Sequence, residues 1–491
     1  MTVRRIPTGV TGLDKILHGG FIPASSYLLV GGPGAGKTIL SLQFLRQCQQ
    51  SKSRCLFLSL TESVTTIRRD AASFGWQLKG INLVDMTLSD GEPKTNGEYS
   101  VFSPGEVEEE SIWKKIHAAI EEYEPDRLVI DSVTNLRYLS TDEYQYRKHV
   151  QQLINHLSRR QCLSLLLFEP GELEREQSIA MAVDGILWLH SEISKERVVE
   201  IRTLEISKFR GSSYLSGRHP MRITDEGIVV YPHCVEILKR PGGDSALLST
   251  GIESLDELLM GGFHMGTCTL LTGPSGTGKS SLATHFLVQA ARRGTRGIMY
   301  CFEEGTESIL DRCQGIGIPL NGCLEDGTVA LCEVNPLELY PDEFLEIIRR
   351  DVEEQGRRII IIDSLRGYQL AMDEFGNMAA NVQNILNYLR RKRASLFLLN
   401  EMQYIMGDLR ISEDGVSYLT DNVLMLRYAE YSGEIIKVVA CLKKRHGNFQ
   451  SDLREFKITE EGILVGEKLT RLRGLLTGVP HVEDLGTKPE L

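Results

Sequence analysis

The sequence has no long apolar run. Nothing in it approaches the roughly 20 consecutive apolar residues a helix needs to cross a bilayer. Its first residues lack the charged-then-apolar pattern of a secretion signal. A chain without a membrane association, residing in the cytoplasm, is expected. Paired cysteines are missing too: of ten cysteines none forms a C-x-x-C arrangement, so a zinc module has no ligand pattern to rest on. Cysteines set in apolar strand-like runs, such as Cys55, Cys162 and Cys301, read as buried reduced thiols. Positive charge is in deficit, with 55 Lys and Arg against 66 Asp and Glu and a net charge of −11. That balance speaks against a protein whose main task is to coat nucleic acid. No Asn-Lys-x-Asp guanine-reading pattern occurs, which leaves adenine as the preferred base of any nucleotide site.

What is present is a phosphate-binding loop, twice. Residues 31–38 read Gly-Gly-Pro-Gly-Ala-Gly-Lys-Thr, and residues 273–280 read Gly-Pro-Ser-Gly-Thr-Gly-Lys-Ser. Both fit G-x-x-x-x-G-K-[ST] with an apolar strand before and a helical pattern after. The glycines let backbone N–H groups wrap an anion, and the helix N-terminus adds partial positive charge. Gly32, Pro33, Gly34, Ala35 and Gly36, and likewise Gly273, Pro274, Ser275, Gly276, Thr277 and Gly278, are therefore the expected cradle of a nucleoside triphosphate. Lys37 and Lys279 are expected to clamp its phosphates, and Thr38 and Ser280 to ligate Mg2+.

The loops belong to a larger repeat. Thr8 and Thr250, Gly19 and Gly261, and Lys37 and Lys279 all stand 242 residues apart; late in each half the offset becomes 235, as for Ile223 and Ile458. A period this long is a duplicated domain rather than a solenoid unit. The expected layout is a first domain over 1–240, a second over 241–470 and a short, weakly ordered tail over 471–491. Pro241-Gly242-Gly243 marks the linker. Within each half strands alternate with helices and end in antiparallel strands, the pattern of an α/β core of RecA type. The stretch Ser89–Glu110 is rich in Gly, Pro, Ser and Glu and is expected to be a mobile surface insertion before a helix over 112–123.

Chemistry gathers at strand ends. Two apolar strands finish in Asp131 and Asp363, the carboxylates expected to support the Mg2+ shell beside Thr38 and Ser280. A carboxylate after the second strand can orient a water or take a hydroxyl proton. The second half has Glu303 and Glu304 there; the first has Thr61 and Glu62. Threonine is no base near neutral pH, so the halves are not expected to be catalytically equivalent. Lys208 and Arg210 recur as Lys443 and Arg445 at the offset of 235, and a basic pair recurring in both copies reads as functional.

Taken together, the leading Thr-Gly segment, the phosphate loop, the acidic strand end (Glu303-Glu304, with Thr61-Glu62 in the first half), the strand-end Asp and the Lys-x-Arg pair, repeated over about residues 5–480, resemble the KaiC family of double-domain RecA-like ATPases and autokinases. The resemblance implies a homohexamer with ATP held between protomers, Lys208, Arg210, Lys443 and Arg445 reaching the nucleotide of the neighbour, a slow ATPase in the N-terminal ring, and a C-terminal ring that phosphorylates its neighbour on a hydroxyl and can lose the phosphate again. Ser417 matches the family's acceptor serine, and Tyr418 stands where a second acceptor, usually threonine, is found. Clock or other signalling is the implied role, with a KaiB-like protein, a response regulator or a histidine kinase as candidate partner; the short tail speaks against a KaiA-like one. Departures are Thr61, Tyr418, and His446 where the pattern has Gly. Two other readings stay open: a nucleotide-gated assembly scaffold with little kinase activity, and a RecA/RadA-like DNA-dependent ATPase.

Overall fold

In the strand β1 (Ser26–Gly31) every residue is buried. Tyr27 and Leu29 pack into one apolar cluster, Leu28 and Val30 into another. Successive side chains of a strand point to opposite faces, so a strand apolar at every position needs cover on both. Helices over Lys37–Arg46, Val64–Ser73, Pro104–Tyr123 and Glu143–Arg159 connect the strands and supply that cover. The computed structural model of the protein describes residues 4–51, 53–87, 104–140, 142–175, 177–194, 199–233, 246–372, 375–402, 416–431, 434–469, 472–473 and 481–482. By its contacts the chain divides into two compact units, Met1–Cys234 and Val235–Leu491.

In the first unit β1 is followed by β2 (Cys55–Ser59), β3 (Ile81–Asp85), β4 (Arg127–Asp131), β5 (Leu163–Phe168), β6 (Gly185–Ile193), β7 (Glu200–Phe209), β8 (Arg218–Thr224) and β9 (Gly227–Val230). They form one sheet in the order β3-β2-β4-β5-β1-β6-β7-β8-β9. It is parallel from β3 to β6 and antiparallel beyond. The second unit opens with a small pair, β10 (Leu247–Leu248) and β11 (Phe263–His264). It continues with β12 (Cys268–Gly273), β13 (Gly297–Cys301), β14 (Val329–Glu333), β15 (Ile359–Asp363), β16 (Ser395–Glu401), β17 (Asn422–Tyr431), β18 (Glu434–Lys444), β19 (Arg454–Thr459) and β20 (Gly462–Lys468). Their order, β14-β13-β15-β16-β12-β17-β18-β19-β20, repeats that of the first sheet. The chain is thus two tandem RecA-like α/β domains, as its repeat predicts. β1 and β12 lie inside their sheets, and the phosphate loops leave their C-terminal ends, where the crevice of an open α/β sheet lies.

Register decides where the later basic residues fall. Tyr27 pairs with Gly185, and Gly185 with Phe209, so Lys208-Phe209-Arg210 lies beside the start of β1. At about 3.3 Å per residue, the phosphate loop at Gly31 is roughly 13 Å further along the sheet. In the second unit Leu270 pairs with Val423, and Val423 with Lys443; Gly273 is again roughly 10 Å further on. Each basic pair therefore sits at one end of its sheet and the phosphate loop of the same unit at the other.

Two sequence expectations change. The helix expected from residue 112 begins at Pro104, inside the stretch read as a mobile insertion. Pro at a first helical position and the run of acidic residues that follows both suit a helix start. Residues 88–103 of that stretch lie outside the described residues. Cys55 is not a reduced thiol but is bonded to Cys48, with Cα atoms 6.4 Å apart. The short helix Cys48–Ser51 between the phosphate-loop helix and β2 brings the pair within the about 4.4–6.8 Å range of disulfides. Cys162 and Cys301 are free and buried. Of the tail, Leu472–Arg473 pairs antiparallel with His481–Val482. The linker Pro241-Gly242-Gly243 and residues 411–415 of the acceptor segment lie outside the described residues.

Candidate active sites

Each phosphate loop is tied together by its own lysine. Lys37 Nζ donates to the carbonyls of Gly31 (2.6 Å) and Gly32 (3.0 Å), and Lys279 Nζ to those of Gly273 and Pro274 (both 2.9 Å). Both loops turn into their helices through a glycine of positive φ, Gly36 at 96° and Gly278 at 101°. A β-carbon on Gly278 would stand 2.5 Å from Ile458 Cδ1. Burial depresses both lysines from their ordinary value. Asp131 and Glu169 oppose this at Lys37, and Glu401, Asp363 and Glu303 at Lys279.

Beside each loop a hydroxyl meets a carboxylate. Thr38 Oγ1 donates to Asp131 Oδ2 at 2.7 Å, and Ser280 and Asp363 line one cavity at the corresponding place, where the serine favours the charged carboxylate. Burial raises both carboxyls, while the hydroxyls pull the other way. One hydroxyl and one carboxylate are hard oxygen donors that fit Mg2+, which takes one or two protein oxygens and completes its shell with phosphate oxygens and water. Consistent with so spare a donor set, no group of three or more His, Cys, Asp or Glu able to hold a metal occurs among the described residues.

The second unit holds a cavity of ≈ 410 Å³ on its phosphate loop, a size suited to a nucleotide-scale ligand. Lys279, Ser280, Asp363 and Glu303 line it, with Arg312, Ile316, Ser364, Glu401, Lys437 and Ile458. Glu303 accepts a hydrogen bond from Ser364 Oγ. Its neighbour Glu304 is not in the wall. Arg312 Nη1 donates to both oxygens of Glu304, and Ser308 Oγ to one of them at 2.7 Å. Burial works against the Glu304 carboxylate, but these donors outweigh it and hold the group below its ordinary value. In the first unit Thr61 and Glu62 are exposed at the end of β2. Thr61 Oγ1 donates to the carbonyl of Asp131 at 3.5 Å. The main chain of Glu62 is held by Ser59 Oγ, and its carboxylate has no hydrogen-bond partner among the described residues.

The two basic pairs are held alike. Lys208 Nζ donates to the carbonyls of Ala180 (2.7 Å) and Met181 (3.1 Å), and Arg210 Nη2 to Met181 (2.8 Å). Lys443 Nζ donates to the carbonyls of Ser417 (3.0 Å) and Thr420 (2.7 Å), and Arg445 Nη2 to Tyr418 (2.6 Å). Burial depresses Lys208 and Lys443, and the adjacent Arg210 and Arg445 add to it. Ser417 and Tyr418 thus lie in a short turn, Val416–Tyr418, at the same end of the sheet as their basic pair. Ser417 is half-buried, and the Tyr418 side chain is exposed. Asp421 anchors this end. It accepts from the Cys268 amide (3.0 Å) and from Arg390 (2.9 Å), and lies 3.7 Å from Arg445 and 3.9 Å from His446.

The structure brings the loop, hydroxyl, strand-end Asp and Glu303 together, and leaves the basic pair and acceptor turn of the same unit apart from them. Sequence reading missed Arg312, Ser364, Glu401, Lys437 and Ile458 in the wall. A signal existed for Ile458: it repeats Ile223, whose Cδ1 likewise stands 3.2 Å from where a β-carbon on Gly36 would lie.

Comparison with known proteins bears on both units. The family model described as the KaiC ATPase matches residues 6–235 and again 248–470. The circadian clock oscillator protein KaiC of Picosynechococcus sp. is 30% identical over 100% of this chain and 95% of its own length. That of Parasynechococcus marenigrum is 28% identical over 100% and 96%. The circadian clock oscillator protein KaiC 1 of Synechocystis sp. is 28% identical over 100% and 94%.

Proposed function

Since the chain belongs to the KaiC family of ATPases, we propose that each half binds ATP with Mg2+ and that the second half transfers the γ-phosphoryl group to Ser417 of a neighbouring copy. Clock or related signalling output follows from the same kinship, and a homohexameric ring with ATP between protomers is the proposed assembly. Thr38 with Asp131, and Ser280 with Asp363, would hold the Mg2+, which when bound neutralises charge on the phosphates. Lys279 and the loop amides orient the triphosphate. Glu303 takes the proton of the Ser417 hydroxyl. The seryl oxygen bonds to the γ-phosphorus as the bond from that phosphorus to the bridging oxygen of ADP breaks, and ADP leaves with the electron pair. With water in place of serine the same step is hydrolysis.

The observation that carries this reading is the polarity of the sheet. Ser417, Lys443 and Arg445 share one end of the second unit, and the phosphate loop of that unit occupies the other. An acceptor so placed meets the loop of another copy more readily than its own. The test mixes two variants. Lys279→Ala cannot hold its own phosphate, and Ser417→Ala cannot accept one; neither alone should gain phosphate at residue 417 on incubation with Mg-ATP. Mixed, they should place it on Ser417 of the Lys279→Ala chain, read by site-mapped mass spectrometry. No phosphate in the mixture, with the parent protein phosphorylated, would sink transfer between copies.

For the first unit a second reading is favoured by Thr61. With no carboxylate at that position, this half serves as a nucleotide-gated scaffold unless Glu62 substitutes. Glu62→Gln in a Lys279→Ala background decides: loss of the remaining hydrolysis makes Glu62 the base, and unchanged hydrolysis removes it from that role. The acidic net charge of −11 weighs against a DNA-stimulated ATPase, which single-stranded DNA would accelerate in a steeply salt-dependent way.

A further inference from the structure

The second unit carries two adjacent carboxylates at the position where a base is needed, yet it does not present both. Glu303 lines the cavity; Glu304 is turned to Arg312, which grips both of its oxygens, with Ser308 adding a third bond. Arg312 is itself in the cavity wall. Its Nε and Nη2 are buried without a hydrogen-bond partner among the described residues, so its engagement there is concentrated on this one carboxylate. The first unit supplies the contrast. At the positions 242 residues earlier stand Thr61, Glu62 and Asp70. The residue matching Arg312 is an acid, paired to its own neighbour Arg69 at 2.9 Å. Glu62 therefore has no arginine clamp.

We propose that Arg312 is a positioning residue that withdraws Glu304 from the reaction, so that each half has a single carboxylate to offer at this strand end: Glu303 in the second, Glu62 in the first. The halves reach the same count by opposite means. One lacks the first acid and leaves the second free; the other has both and clamps the second. The clamp also makes Glu304 the poorer base, since an arginine hydrogen-bonded to both oxygens favours the charged form. The inference rests on the reading of Glu303 as the group that takes the proton from serine or water.

Restoration of a lost activity is the test, because a merely structural arginine could not produce it. ATP hydrolysis and phosphate on Ser417 are measured with Mg-ATP in the full chain for the parent, Glu303→Gln, Arg312→Gln, Glu303→Gln/Arg312→Gln and Glu303→Gln/Arg312→Lys. In place of Glu303 glutamine keeps the size and removes the charge; in place of Arg312 it is shorter and removes the cation. Glu303→Gln should lose about 10²- to 10⁴-fold in Ser417 phosphate, the usual share of a general base. Adding Arg312→Gln should free Glu304 and recover about tenfold or more of that loss, while Arg312→Lys, which keeps a cation beside Glu304, should recover much less. A double variant that binds ATP yet is no faster than Glu303→Gln overturns the inference, as does equal recovery with Lys. Should the Gln variants fail to bind ATP, Arg312→Met and Arg312→Ala carry the same comparison. If Glu303→Gln alone is as active as the parent, it is the reading of Glu303 that falls, and this outcome is distinct from the others.

Discussion

Replacing Asp421 with alanine should unfold the second unit at markedly lower temperature and strip phosphate from Ser417. The Asp421 and Arg390 side chains are only 5% and 15% exposed, so their pair at 2.9 Å is a buried one. Removing one partner of such a pair leaves an uncompensated charge and costs about 3–5 kcal/mol. The Cys268 amide, bonded to Asp421 at the start of the phosphate-loop strand, would lose its acceptor as well, about 1–3 kcal/mol. The two losses overlap, and about 4 kcal/mol is the working figure. For a domain of this size that is a shift of roughly 8–16 °C. Asp421→Asn keeps an acceptor for the amide and loses only charge, so it should shift less. Differential scanning calorimetry of the full chain reads both variants, with the transition of the first unit as internal control. Arg390→Ala and the double variant complete a cycle. A shift below about 4 °C for Asp421→Ala, or strict additivity of the two single variants, would refute the idea that this buried pair secures the acceptor end.

In the first unit the corresponding Asp184 also accepts a strand amide, that of Ser26, at 2.9 Å, but its side chain is 36% exposed and Arg210 lies 4.0 Å away. Asp184→Ala should therefore move the first transition less than Asp421→Ala moves the second: its half-exposed ion pair contributes only about 0–1 kcal/mol, which leaves chiefly the about 1–3 kcal/mol of the Ser26 amide's lost acceptor. Gly278→Ala should weaken ATP binding and lower stability by more than the about 1–2 kcal/mol of a left-handed residue, because the new methyl meets Ile458 Cδ1. Adding Ile458→Val removes that atom and should return part of the loss; no return would place the defect in the backbone alone. Burial pushes the Cys162 and Cys301 thiols up to about 12 and Cys441 to about 11. These stay protonated at pH 8, so iodoacetamide should label them only in denaturant, as peptide mapping would show. Because the folded form holds these protons longer than the unfolded one, stability should fall as pH rises from the ordinary thiol value of 9.0 toward those values.

The phosphate loops, the strand-end Asp residues and the duplication were legible in the sequence because each is local: a few residues at fixed spacing whose chemistry does not depend on what packs nearby. The sheets were legible for a related reason, since continuous apolar strands such as Leu28–Val30 fit only a sheet covered on both faces. Other features depend on contacts that spacing does not encode. Arg312 follows Glu303 by nine residues with no pattern to mark it, and only the turn from β13 into the next helix aims it at Glu304. The bond between Cys48 and Cys55 joins the first residue of a short helix, Cys48–Ser51, to the first residue of β2, a meeting set by the connection rather than by a cysteine motif. The helix start at Pro104 was hidden because the acidic and small residues around it serve a helix N-terminus as well as a loop. Lys208 and Lys443 were visible as a recurring pair, but only register shows that they stand at the far end from their own phosphate loops.

That separation has a counting consequence. If a complete site needs the loop of one copy and the basic pair of the next, an open row of copies always has one fewer site than members, with an unused loop at one edge and an unused basic pair at the other. Closure removes both leftovers, and only then does the number of sites equal the number of chains. Taking a single member out of a closed set removes two sites, not one. Activity per chain would then depend on whether the set is whole, and a small fraction of chains defective at both ends would silence up to twice that fraction of the sites.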